Sequence, residues 1–540
     1  DELMVHEWDR WTNQKRAHLF VAPLVFGVVA GDDALRWRLA APPRDLMSGV
    51  DADCPTHQTF GGREQINWAP DGKAIVYTVK PRTVDAAWSI NSIIHVASVA
   101  DDDGDRLQFE DMLVVNYTTE SGAMDTTPCF SPSGKRLAWL GSKRPGCEHD
   151  KLELIVHEVG SDKQPSTVQL AIDVSINEFV WADDDNVLFT AQYGVETKLF
   201  ELNVKETKPK ELVSSGAVSN ICIAGEKVVF IHSSLISPPE LAAIERSKTD
   251  ATLFAITNAN ASLVNELDLP APRSLSVVGA NGQDMQVWLA VPPKASVYAA
   301  VRRESTDDKS RDTIKFPVML LAHGGPQGCW GNSWHSRWNI QTWAARGYVC
   351  VVPNFTGSTG FGQAYTDAIS KNWDVAVKDC LLAMDHCIEE FDFIDKSRQY
   401  AMGASFGGWL MQYLNGVAED RFKALVAHDG VFDLVSMYYE TDELWFPEWE
   451  FGDPRRDATL YKRLSPSTLV SRWQTPILLL HGKLDFRCPL SQSLMAHAAA
   501  RRTGVRAQLA VSETSSHWVL RPQPSLEWHQ IIFDFLDEHY

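Results

Sequence analysis

Two textures of hydrophobic and polar positions divide the chain near residue 268. Before that point, short apolar-alternating runs are separated by polar turns, and long helical periods are scarce. One pattern recurs. Trp68-Ala69-Pro70-Asp71-Gly72-Lys73-Ala74-Ile75-Val76-Tyr77 resembles Phe130-Ser131-Pro132-Ser133-Gly134-Lys135-Arg136-Leu137-Ala138-Trp139. Weaker echoes stand at Trp181-Ala182-Asp183-Asp184-Asp185-Asn186-Val187-Leu188-Phe189 and at Ile223-Ala224-Gly225-Glu226-Lys227-Val228-Val229-Phe230. Each has an apolar anchor, a tight polar turn and then the alternation of a half-buried strand. Strand-built repeats about 40 to 60 residues apart predict a β-propeller with one repeat per blade, an irregular β-sandwich being the alternative.

At roughly 45 residues per blade, the first 268 residues hold five or six blades at most. Only four signatures are clear, so the expectation is a partial propeller of about four to five blades, with the chain beginning inside it. The apolar stretch Leu19 to Gly31 is about half a membrane span and contains Pro23, so it reads as strand, turn, strand.

From Leu275-Ser276-Val277-Val278 onward, buried strands alternate with helical periods. The strands are predicted at Val287 to Val291, Val318 to Ala322, Val349 to Pro353, Ala424 to Ala427 and Ile477 to Leu480; a long helix is predicted around Val375 to Glu390. Residues 295 to 315 form a charged insertion, read as a surface loop. Such alternation predicts a mostly parallel sheet covered by helices, an α/β-hydrolase type of fold for residues 269–540. Its chemistry belongs on loops at the carboxyl ends of the strands.

With 540 residues, two large or three medium domains are the natural expectation. The net charge of −20 argues against nucleic acid or anionic membranes as partners. The nine cysteines show no CxxC pair or ligand spacing, so no structural zinc is predicted. Cys380 and Cys387 are expected as buried free thiols on one helix. Asn116-Tyr117-Thr118 and Asn260-Ala261-Ser262 fit the glycosylation pattern, a triplet common by chance.

Gly403-Ala404-Ser405-Phe406-Gly407-Gly408 places a serine between glycines at a strand-to-helix corner, the signature of a nucleophile elbow. Strand Val318 to Ala322 runs into His323-Gly324-Gly325-Pro326-Gln327-Gly328, where amides of an HGG loop belong to an oxyanion hole; Gly325 and Phe406 are the candidate donors. Strand Ile477 to Leu480 ends in His481-Gly482-Lys483-Leu484-Asp485. An acid at a strand end after the nucleophile fits the order Ser, Asp, His, with Asp485 favoured over Asp433 and Asp429. His517, ahead of a closing helix from Leu526 to His539, is the candidate general base.

These residues resemble the prolyl oligopeptidase superfamily in its acylaminoacyl-peptidase-like branch, and within it the dipeptidyl-peptidase V group of fungi and bacteria. The resemblance is carried by the HGG and elbow strings, Arg337-Trp338-Asn339, Gly347-Tyr348-Val349, Asn354 to Gln363, His428-Asp429-Gly430-Val431-Phe432 and His517-Trp518-Val519-Leu520-Arg521-Pro522. It spans nearly the whole second half. His6-Glu7-Trp8-Asp9-Arg10-Trp11 looks like a segment such enzymes carry within the propeller. That implies a missing amino-terminal piece, removed by processing or supplied as a separate polypeptide carrying the other blades.

The resemblance implies a serine exopeptidase with Ser405, Asp485 and His517 as the triad. Arg487 is implied as the grip on a substrate carbonyl, and neither metal nor organic cofactor is implied. Substrates would be short peptides beneath a propeller roof, cut most naturally to release N-terminal dipeptides, and a homo-oligomer is a further partner expectation. An acylaminoacyl-peptidase or esterase, or a propeller and hydrolase scaffold without turnover, are the alternatives. Secreted members favour a secreted protein over a cytoplasmic one. Ser515-Ser516 depart from the acidic or amide residues expected before the histidine. A free α-ammonium needs a carboxylate: Glu440, Asp442, Glu443, Glu448 and an acid from the propeller are all open. Tyr438, Tyr439, Trp445, Phe446 and Trp449 are candidates for an apolar S1 wall.

Overall fold

The computed structural model describes residues 5–12, 15–29, 32–56, 61–82, 84–99, 122–246, 252–293 and 315–540. The Asn116 triplet and the charged insertion up to residue 314 lie outside the described residues.

Each of the four recurrent strings folds as a hairpin. The paired strands are Ile66–Trp68 with Ala74–Pro81, Asp125–Phe130 with Arg136–Gly141, Ile176–Trp181 with Asn186–Tyr193, and Ala217–Ala224 with Lys227–Ser234. Three turns use a glycine at positive φ: Gly72 (72°), Gly134 (73°) and Gly225 (61°). The third turn has no glycine. There the Asp183 carboxylate takes over, accepting the amides of Asp185 (3.0 Å) and Asn186 (2.9 Å), a side-chain mimic of a backbone turn.

Every hairpin belongs to a unit of four strands. The last two units are joined into one sheet by a single parallel bridge, Thr197 to Ala217, among the described residues. Neighbouring units bury one another's faces. Val76 and Ile94 pack with Leu137 and Trp139; Ala138 and Leu140 pack with Ile176 and Phe189; Leu188 and Leu199 pack with Val218 and Phe230. That face-to-face stacking of four-stranded sheets is how propeller blades form a core. The stretch from Leu19 contains strands Phe20–Val21 and Leu24–Val29. No helix among the described residues is long and apolar enough to cross a membrane.

The second half is one eight-stranded sheet: β1 (Arg273–Val278), β2 (Asp284–Ala290), β3 (Phe316–Ala322), β4 (Val349–Pro353), β5 (Ile394–Ala404), β6 (Ala424–His428), β7 (Ile477–Gly482) and β8 (Ala507–Ser512). Their spatial order is β1-β2-β4-β3-β5-β6-β7-β8. The first two are antiparallel to their neighbours, and all pairings from β4 onward are parallel. Strands β3, β4, β6 and β7 are buried along their length, as a sheet covered on both faces requires. Side chains alternate faces with period two. In β3, Val318 and Leu320 join the core that includes Trp373 and Trp409, while Met319 and Leu321 join the one that includes Trp528 and Ile532.

The helix Asp374–Glu390 carries Cys380 and Cys387, both buried and unbridged; burial pushes the Cys387 thiol up to about 12. Polar ties cross the seam between the two halves. The Arg144 guanidinium makes a two-pronged contact with Asp367 (2.9 Å and 2.9 Å), and Gln192 accepts from the Thr359 hydroxyl at 2.6 Å.

Candidate active site

Sheet register decides which groups meet. Gly403 of β5 lies beside Ala322 of β3, Ala404 beside His428 of β6, and Gly482 of β7 beside Ser512 of β8. The parallel strands therefore end at one rim, and the residues following each end share a small volume.

At the end of β5 the chain turns sharply into helix Phe406–Val417. Ser405 sits at the corner with φ 59° and ψ −120°, a conformation disfavoured for a residue with a side chain. It is held there because the Ser405 amide donates to His428 (2.9 Å) while its carbonyl accepts from Trp409 (2.9 Å). The flanking glycines are required by contact. A Cβ on Gly403 would lie 2.7 Å from the Gly407 backbone, and one on Gly407 would lie 2.5 Å from the Ala322 carbonyl. The Phe406 amide opens the helix, where first-turn N–H groups have no intrahelical acceptor. Gly325, at φ 126°, makes no amide hydrogen bond among the described residues. Both residues border the same cavity as Ser405.

Beyond β7, the Asp485 carboxylate is buried and fully engaged. Its Oδ1 accepts the amides of Arg487 (3.0 Å) and Cys488 (2.9 Å), and its Oδ2 meets His517 Nδ1 at 2.7 Å. The competing acids are occupied elsewhere. Asp433 caps the helix Leu434–Glu440 through Ser436 (2.9 Å) and accepts from the Ser467 hydroxyl (2.8 Å). Asp429 accepts the Gly482 amide (3.0 Å) and lies 2.8 Å from His428 Nε2. Burial would raise the Asp429 carboxyl, but His428, His481 and His517 outweigh burial and hold it at about 2. Asp429, Asp485 and His517 bring their ligand-type atoms within 4.8 Å of one another. Because Asp485 and His517 already satisfy each other, this donor set suits holding a proton better than holding a metal ion.

The departure at Ser515-Ser516 has a structural counterpart. The Ser515 hydroxyl bonds that of Ser512 (2.7 Å), and the Leu484 amide donates to the Ser515 carbonyl (3.0 Å). The loop lies so close to β7 that a Cβ on Gly482 would strike the carbonyl oxygens of Ser515 and Ser516. Backbone oxygens cannot swing aside. Gly482→Ala is therefore expected to displace the His517 loop and lower kcat by about 10²-fold, the usual effect of a misplacement near 1 Å; steady-state kinetics beside a melting curve separates this from global unfolding.

The cavity over Ser405 has a volume of about 610 Å³ and includes His517, Arg487, Glu443, Glu148 and Arg337 on its walls. Of the five aromatic candidates for an S1 wall, only Phe446 borders it, beside Trp373, Phe406, Val431 and Met437. Tyr438 is instead buried, with its hydroxyl on Glu448 (2.7 Å), and Tyr439 points to solvent. Trp445 donates toward Glu148 at 3.3 Å.

Among the acidic candidates, Glu443 alone of the 440–448 loop reaches the cavity. Glu440 accepts from Ser491, Asp442 accepts the Trp8 amide (2.6 Å), and Glu448 holds Tyr438. Glu443 pairs with Arg487. Burial pushes the Glu443 carboxyl well up; Arg487 opposes this, while Glu148 and Asp442 reinforce it. Burial lowers the Arg487 guanidinium, yet Glu443, Glu148 and Asp442 together raise it, so the arginine keeps its proton. Nearby, burial brings the Lys80 ammonium down to about 8, over the Trp445 ring.

Sequence reasoning did not assign Glu148 or Trp8 to the site. Glu148 comes from a propeller turn stapled by Asp150, which accepts the amides of Lys143 (2.7 Å) and Arg144 (2.8 Å); nothing local in Gly146-Cys147-Glu148 marks it. Trp8 packs edge-on against His517 (6.0 Å) and Trp518 (4.9 Å), with the Arg487 guanidinium 5.0 Å over its ring.

A sequence model of the prolyl oligopeptidase family matches residues 334–540. Dipeptidyl-peptidase 5 of Porphyromonas gingivalis is 30% identical over 99% of this chain and 74% of its own length. The enzyme of the same name from Aspergillus fumigatus is 31% identical over all of this chain and 73% of its own. Among solved structures, an acylaminoacyl peptidase of Pyrococcus horikoshii superposes with a TM-score of 0.71, covering 88% of this chain and 70% of that one at 19% identity. That structural likeness carries the fold: a propeller followed by an α/β hydrolase.

Proposed function

Since the chain belongs to the prolyl oligopeptidase family of serine peptidases, we propose that it releases dipeptides from the free N-termini of short peptides, with Ser405, His517 and Asp485 as its catalytic triad. The observation that carries the triad is the 2.7 Å contact of Asp485 with His517 Nδ1, at a cavity rim shared with the strained Ser405. Residues 1–268 are read as the propeller part and 269–540 as the peptidase part.

Ser405 Oγ attacks the scissile carbonyl as His517 Nε2 takes its proton. Asp485, bonded at Nδ1, fixes the tautomer that leaves Nε2 free to accept and stabilises the imidazolium. The Gly325 and Phe406 amides receive the oxyanion, each such donor being worth about 3 kcal/mol in the transition state. The imidazolium returns the proton to the departing amine, and water repeats the sequence on the acyl-enzyme.

Dipeptidyl specificity needs a counter-charge for the α-ammonium one residue beyond the acyl group. Glu443 and Glu148 border the cavity together with Arg487, which pairs with Glu443 and is the group to grip the intervening carbonyl. Arg487 and Lys80 are the cations that face these acids, and Glu148 and Glu443 are the carboxylates on the cavity that an incoming ammonium would meet.

Two comparisons test this reading. A dipeptide arylamide with a free amine is expected to be cleaved and its N-acetyl counterpart not, whereas preference for the acetylated reporter would favour the acylaminoacyl alternative. Glu148→Gln keeps an acceptor for Trp445 but loses the charge. It is expected to lower kcat/KM on the free-amine reporter by about 10–100-fold, the range of one charge-assisted hydrogen bond.

A further inference from the structure

Glu148, Glu443 and Arg487 all border the cavity, and so does a further cation, Arg337, that has no ion-pair partner among the described residues. Arg337 lies on the loop between β3 and helix Ile340–Ala345. Its backbone is fixed by His335, whose Nδ1 accepts the amides of both Arg337 (3.1 Å) and Trp338 (2.9 Å). A nitrogen accepting two N–H groups carries no proton of its own, so His335 is neutral here. Desolvation and the Arg337 charge push its pKa down to about 4.

The Arg337 guanidinium borders the same cavity as Ser405 and His517. Its Nε is buried without a hydrogen-bond partner, and it makes no ion pair among the described residues. Burial lowers its proton affinity, opposed by the Asp429 charge, which sits too far away to pair with it. A guanidinium taken from water without a carboxylate at contact is costly. The Trp518 ring lies 6.0 Å from it, and no carboxylate pairs with it among the described residues.

Aromatic rings set its position relative to the reacting groups. Arg487 lies over Trp8, Trp8 meets Trp518 edge-on at 4.9 Å, and Arg337 lies 6.0 Å over Trp518. One guanidinium thus lies over each ring of this aromatic pair, and the His517 imidazole packs edge-on against the Trp8 ring. With Arg487 stand the acids that suit an ammonium. With Arg337 stands a neutral histidine.

We propose that Arg337 is a carboxylate-binding subsite for the leaving group, so that the preferred substrates are very short peptides whose C-terminal carboxylate reaches it. A zwitterionic tri- or tetrapeptide then has its ammonium at Glu443 and Glu148 and its carboxylate at Arg337, with the scissile bond over Ser405. The planar fork of arginine matches a carboxylate in two hydrogen bonds. This inference rests on the dipeptidyl reading for where the cut falls.

The test compares a tripeptide or tetrapeptide as free acid with the same peptide as C-terminal amide. In the wild-type protein, kcat/KM is expected to favour the acid by at least about 10-fold, chiefly through KM. Arg337→Gln is expected to bring that ratio to about one, and Arg337→Lys to retain part of it; turnover of a dipeptide arylamide, which has no carboxylate, reports that each variant is folded. Calorimetry on the inactive Ser405→Ala protein repeats the acid-to-amide comparison as binding, independent of where cleavage occurs. Equal affinity for acid and amide there, or an acid preference that survives in Arg337→Gln, would overturn the subsite. Failure of the arylamide reporter with wild-type protein would instead count against the dipeptidyl reading, and the calorimetric ratio would still decide the fate of Arg337.

Discussion

Ser405→Ala lowers kcat by about 10⁶-fold while the protein keeps its melting temperature and still binds peptide, because the oxyanion donors and cavity walls remain when the nucleophile is gone. The size of the loss follows from how triads work: the members act as a unit, so removing the serine or the histidine alone costs nearly as much as removing all three. What survives, roughly 10³–10⁴ over water, comes from the amides and from binding. The amides proposed for this role are those of Gly325 and Phe406, and neither needs the Ser405 side chain for its place. The serine's backbone is fixed by the His428 carbonyl and the Trp409 amide, and alanine retains both bonds. Single-turnover kinetics and calorimetry on the same preparation check this pair of outcomes.

Asp485→Asn is the second large effect, about 10⁴-fold in kcat. The carboxylate accepts three hydrogen bonds, two from backbone amides and one from His517. Asparagine can keep Oδ1 on the Arg487 and Cys488 amides. Its NH₂ then faces His517 Nδ1, which must accept and so surrenders its own proton to Nε2. That is the wrong tautomer for taking a proton from Ser405. Nearby Asp429 is not expected to substitute, because its Oδ1 accepts the Gly482 amide and its Oδ2 lies 2.8 Å from His428 Nε2. Folding should change little, so the defect appears in kcat and not in the melting curve. A loss of only a few-fold would mean that Asp429 shares the role.

Much of this was legible because it is written locally. A nucleophile elbow needs glycines where backbones nearly touch, and those needs leave a readable string around Ser405. Buried parallel strands must be continuously apolar, so β3, β4, β6 and β7 stand out, and the carboxyl ends of β3 and β7 lead directly to Gly325 and Asp485. The hairpin turns of the four blade signatures were legible for the same reason, even the one in which Asp183 replaces glycine.

What stayed hidden depends on distant segments meeting. Glu148 reaches the cavity from a propeller turn, across a seam that no local pattern announces. Trp8 lies 434 positions from Asp442, to which its amide donates. The acidic loop offered four carboxylates, and tertiary packing commits Glu440, Asp442 and Glu448 to other donors, leaving Glu443 on the cavity. The aromatic cluster failed as a guide to the S1 wall for a related reason. Aromatics satisfy core packing and cavity lining equally well, and here Phe446 alone of the five does the second.

The central claim is that Ser405 is made nucleophilic by its surroundings, and a fluorophosphonate probe followed by intact mass and peptide mapping tests it most directly. The account predicts a single adduct on Ser405, formed rapidly in the folded protein, absent in Ser405→Ala and strongly slowed in Asp485→Asn. A folded protein that takes no label, or takes it on another residue, would contradict it.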